Sequence, residues 1–80
     1  MIEQEFHRGW YDNSIIPKPT VSWLRQHWPE LLDWIDANIQ GEWEFRVRLI
    51  SFEYDSYYST YALIIAYVEM DDAFLHRMRW

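Results

Sequence analysis

His7, His27 and His76 are the side chains of this 80-residue chain best suited to proton transfer or metal ligation near neutral pH. They lie far apart in sequence. Neither HxH nor HExxH, the spacings that put two imidazoles on one strand or helix face, is present. The lack of cysteine excludes disulfides and thiolate metal sites. Ser14, Ser22, Ser51, Ser56 and Ser59 supply hydroxyls, yet none sits in the glycine-flanked elbow that exposes a nucleophilic serine. With two glycines in all, a loop that cradles phosphate with backbone N–H groups has nothing to form from. The acid pairs Asp71/Asp72 and Glu53/Asp55 are able to exchange protons, but turns collect such residues for conformational reasons. These residue types predict no catalytic centre, no cofactor and no metal site.

The aromatic residues carry more information. Six Trp, six Tyr and four Phe, each removing roughly 150–250 Å² from water when buried, exceed what the core of one small domain holds. Some rings are expected at the surface, where a cluster marks a docking partner. On a continuous helix, at about 100° per residue, Trp23, His27 and Trp34 share a narrow arc beside the Leu24/Leu31/Ile35 stripe. That ridge is either bulky core filler or a partner-docking surface, since Trp and Tyr are enriched among interface hot spots; a helix break at Pro29 would split it. A second candidate patch is the loop carrying Asp55, Tyr57 and Tyr58, with Tyr61 close behind. Tyrosines of this kind give rigid, amphipathic contact area.

Seven basic against thirteen acidic residues leave a net charge of −6. This balance disfavours direct binding to nucleic acid or to an anionic membrane. It permits carboxylates that imitate phosphates: Glu30, Asp33 and Asp36 spread over one side of a helix, followed by Glu42, Glu44, Glu53 and Asp55. Arg25, Arg46 and Arg48 interrupt the row. The first ten residues are mixed and charged, unlike a signal peptide, and the apolar runs fall far short of the roughly 20 residues a bilayer needs. A cytoplasmic protein is expected.

Positioning these residues falls to an α+β domain spanning the whole chain, built around the stretch 58–70. Its centre, 62–68, is apolar at every position, as in a strand covered on both faces. Residues 1–19 read as an ordered, extended arm, with Pro17 and Pro19 holding the chain out, and its expected role is to cover an apolar face of the sheet. Residues 20–40 read as a helical segment: Thr20 is the N-cap, and Leu24, Trp28, Leu31, Leu32, Ile35 and Ile39 recur at helical spacing. Pro29 breaks or kinks it, and Gly41 stops it by adopting a left-handed conformation. Residues 42–80 read as a three-stranded antiparallel meander. In its first strand Trp43, Phe45, Val47 and Leu49 alternate with polar residues. In its last, residues 73–80, Phe74, His76, Met78 and Trp80 do the same, with a helix capped by Asp71 or Asp72 as the rival. The second face of the central strand needs a cover, supplied by the arm or by a second subunit.

The closing run Asp71-Asp72-Ala73-Phe74-Leu75-His76-Arg77-Met78-Arg79-Trp80 resembles the ends of short bacteriophage and prophage accessory proteins. In these an acidic turn and Asp-Ala lead into alternating bulky and basic residues that stop at Trp; here His76 stands for an aromatic and Met78 for Leu. The preceding helix, the Gly41-x-Trp43 strand and the apolar strand 63–68 are compatible with the likeness. The resemblance implies a small non-catalytic protein that binds and inhibits a host protein or defence complex, anti-CRISPR-like or another host-takeover inhibitor. Two other classes stay open: a structural homo-oligomer that buries its sheet face on its own copy, and an acidic nucleic-acid mimic.

Overall fold

The computed structural model describes residues 1–52 and 57–80. Its elements run β1 (Ile2–Asp12), α1 (Val21–His27), α2 (Pro29–Asn38), β2 (Trp43–Phe52), β3 (Tyr58–Tyr67) and α3 (Met70–Arg79). The strands form one antiparallel sheet in the order β1-β3-β2. The α+β class, the three-stranded antiparallel sheet and the central place of the residues in the early sixties are as the sequence predicts. Two of the three expected strands are present, and the third differs.

Residues 2–12, expected as a covering arm, form the edge strand β1 instead. The alternation that would announce it is interrupted by a bulge. Glu5 pairs with Ile64 and His7 with Leu63, leaving Phe6 as the extra residue. Before the bulge Ile2 and Gln4 share the face of Tyr67 and Ile65; after it His7 and Tyr11 do. Phe6 packs on the same side, so Phe6 and His7 are consecutive residues on one face and the two-residue period is lost.

Residues 73–80, expected as the last strand, belong to helix α3. The helix turns Asp72, Ala73 and His76 inward and leaves Phe74 and Met78 exposed, so the apparent alternation was not a single face. Its acids, Asp71 and Asp72, lie in the first turn, and its arginines, Arg77 and Arg79, lie in the last. Both placements complement the helix dipole. The rival helical reading is the correct one for this segment, but the N-cap is Glu69, without a side-chain cap bond, rather than Asp71 or Asp72.

The Pro29 break occurs as expected. Thr20 Oγ1 accepts from the Trp23 N–H at 3.1 Å to start α1, Trp28 closes it, and Pro29 opens α2 at a position where its missing N–H costs nothing. Gly41 departs from expectation, since no glycine has a positive φ. Its role is close approach: its N–H donates to Asp72 Oδ2 at 2.9 Å, and a Cβ there would lie 2.6 Å from Glu69 Cγ.

Leu24, Leu31, Leu32 and Ile35 of the helices close over Phe45, Leu63, Ile65 and Tyr67, with Ala73 completing the core. On the opposite face of β3, Ala62, Ile64 and Ala66 are also buried, and the expected arm does not lie over them, because residues 2–12 pair beside β3 as β1. Glu3 on β1 and Arg46 and Arg48 on β2 reach across the central strand instead: Arg46 Nη1 meets Glu3 Oε2 at 2.9 Å, Arg48 Nη2 meets the same oxygen at 2.7 Å, and Arg46 Nη2 binds Glu44 Oε2 at 2.9 Å. Alanines beneath leave room for the aliphatic stems of the arginines, whose heads stay in water.

Candidate protein-docking surface

The helical layer ends near the level of Leu63 and Val47, but all three strands continue beyond it, and the molecule extends 43 Å along its longest axis. Among the described residues, the sheet's far end therefore lacks a helical cover. On one side Trp10 and Tyr58 lie with ring centroids 5.0 Å apart, across adjacent strands. On the other, Tyr11 meets Tyr61 edge to face at 6.3 Å. Leu49, Ile50 and Phe52 from β2 are exposed around them, Ile50 being the extra residue of a second bulge between Leu49 and Ser51. Trp10 is 65% exposed and Tyr57 83%.

Hydrogen bonds tie this end together. Ser59, itself buried, donates its hydroxyl to Asn13 Oδ1 at 2.7 Å, and the Asn13 N–H donates to the Tyr57 carbonyl at 2.7 Å. Asp12 Oδ1 accepts from the backbone N–H and hydroxyl of Ser14, which hold its carboxyl below the ordinary carboxylate range. The turn after β1 is thereby tied to the start of β3, and the rings sit on paired strands.

The predicted site residues do not converge. Trp23 stacks on His27 at 4.1 Å and on Phe45 at 5.9 Å, half-buried against the core. Trp34 points elsewhere, edge-on to His76 at 6.2 Å and to Trp80 at 6.5 Å. The break at Pro29 has split the ridge, and both indoles serve largely as packing. Tyr57 and Tyr58 do belong to the exposed end, whereas Asp55 lies outside the described residues. Trp10, Leu49, Ile50 and Phe52 are the members that sequence reasoning missed. The outward position of Trp10 follows from the hidden bulge in β1, which no local pattern displays.

The most perturbed titratable pair is internal. The Tyr67 hydroxyl and His76 Nδ1 are 2.6 Å apart and buried. Burial lowers the imidazole to about 4 and, together with the charge of Asp72, raises the phenol. His76 Nε2 has no hydrogen-bond partner among the described residues. The three histidines remain separate, and among the described residues no three His, Asp or Glu side chains converge as a metal site would require. No helix among the described residues is long and apolar enough to cross a membrane. Compared with protein families, curated proteins and solved structures, the chain matches none.

Proposed function

We propose that this protein is a non-catalytic binding protein that docks a partner protein on the uncovered end of its sheet. The observation that carries this reading is the exposed set at the end of the sheet where the helices stop, Trp10 and Tyr58 on one face and Leu49 and Phe52 on the other, with Ile50 and Tyr57 beside them. Aromatic anchors on a rigid sheet lose little conformational entropy on binding and bury large areas. The narrower form is a phage-encoded inhibitor of a host or defence protein, acting in the host cytoplasm. It draws on the likeness of residues 71–80 to phage accessory proteins and on the surplus of aromatics. Direct binding to nucleic acid or membrane is no part of this reading, given the net charge of −6. Mimicry of nucleic acid is disfavoured on the open sheet face, where Glu3, Glu5 and Glu44 are each paired with an arginine. A homodimer is compatible with the proposal, because the docking end lies away from the remaining free surfaces.

The test is a pull-down from bacterial lysate with the wild type, a Trp10→Ala/Tyr58→Ala variant and a Trp23→Ala control. The bound protein is then purified and its stoichiometry measured by calorimetry. The reading predicts one defined complex, weakened about tenfold or more by the double change and little by the control. A complex indifferent to Trp10 and Tyr58 would refute it.

A further inference from the structure

A second surface is organised in a different way. Strand β1 stands at the sheet edge, so its outer backbone groups pair with no strand among the described residues, and free edges of this length are managed by covering or pairing. Helix α3 lies above β1 and β3. It runs along β1, from Ile2, which it meets near Met70, toward Phe6 and His7. Those two contact Trp28, beside which Trp80 ends the chain. Between helix and edge is a groove of about 330 Å³ lined by Ile2, Gln4, Met70, Ala73, Phe74 and Arg77. The helical members, at 70, 73, 74 and 77, follow the spacing of a helix–helix seam, yet no helix of this chain occupies it. Phe74 is 59% exposed and Met70 74%.

We propose that the occupant is a second copy of this chain, related by a two-fold axis near Gln4, with β1 pairing antiparallel to β1 to make one six-stranded sheet. Three features select a copy over another ligand. The first is spacing. Strands pair about 4.8 Å apart, and a helix seated over the β1–β3 boundary would then lie about 10 Å from its counterpart, the separation at which helices pack. The second is self-complementarity. Because each helix runs along its own strand, the two become antiparallel, and Phe74 of one copy enters the groove beside the small Ala73 of the other, reciprocally, as a two-fold interface requires. The third is charge. The antiparallel pair sets the acidic first turn of one helix beside the basic last turn of the other, bringing Asp71 to Arg77; neither residue forms an ion pair within its own chain among the described residues. Glu3 and Glu5, which approach across the same axis on the open face, are already neutralised by Arg46 and Arg48 and by Arg8. The dimer presents its two aromatic ends at opposite poles.

Sedimentation of the purified chain at micromolar concentration is expected to give twice the chain mass. Phe74→Glu is expected to yield a folded monomer. Arg77→Asp and Asp71→Arg, at exposed positions that leave the fold intact, are each expected to weaken dimerisation about tenfold, with the double exchange restoring it. Amide exchange at residues 2–6 should slow as concentration rises. A wild type that stays monomeric, a dimer untouched by Phe74→Glu or Arg77→Asp, or amides at residues 2–6 that exchange at one rate at all concentrations would overturn the proposal.

Discussion

At pH 7 the imidazole of His76 is neutral, buried against Trp34 and held to the Tyr67 hydroxyl. Its folded pKa of about 4 lies below the ordinary 6.5, so the unfolded chain binds a proton that the folded one excludes. The His76 contribution is fully present above pH 6.5 and declines as pH falls toward 4, by roughly 1.4 kcal/mol per unit. Urea denaturation at pH 5 should therefore show a loss of about 2 kcal/mol relative to pH 7, and His76→Leu should flatten that slope. Glu3 and Asp12 act lower on the scale: their carboxyls are held below the ordinary carboxylate range, so their contributions start to decline only as pH falls through that range and are lost below it. Gly41 is the other residue whose role is local and steric. Gly41→Ala is expected to cost about 1–3 kcal/mol in the same assay, because the new methyl group meets Glu69 and displaces the Asp72 carboxylate.

Four elements were readable from local chemistry, and two were not. The start of α1 was legible because a hydroxyl cap and an apolar stripe act over four residues. Thr20→Ala should cost about 1 kcal/mol while Thr20→Ser costs much less, as thermal or urea melts would show. The identity of β1 was hidden by one inserted residue. Since Glu5 and His7 already pair with adjacent residues of β3, removing Phe6 leaves the register of both halves unchanged. Deletion of Phe6 and Phe6→Ala should then destabilise alike, by about 2 kcal/mol for a half-buried ring. A deletion that unfolds the chain would show that the bulge itself sets the pairing. Helix α3 was misread because its pattern fits both periods; in the folded chain the helix places Asp72, Ala73 and His76 inward, where His76 shares a buried hydrogen bond with Tyr67.

For the molecule as a whole, the number of aromatic rings was informative and their addresses were not. Trp23 and Trp34 looked alike in sequence to Trp10, yet the first two pack on the core and the third stands at an uncovered sheet end. Trp10→Ala should leave stability within about 0.5 kcal/mol while weakening partner capture. Trp34→Ala should cost roughly 2–3 kcal/mol through lost contact with His76 and Trp80. The comparison of melting midpoint and binding for these two variants separates filler from anchor.

From the order of residues alone came the α+β class, the Pro29 break, the exclusion of thiolate chemistry and a central strand within 58–70, because each rests on short-range sterics or on an unbroken apolar run. Which strands flank that centre, what shields its second face and which rings reach solvent depended on contacts between residues distant in the chain. Glu3 and Arg46 illustrate this: they stand forty-three positions apart and unremarkable in sequence, and they meet only because β3 lies between their strands with alanines beneath them.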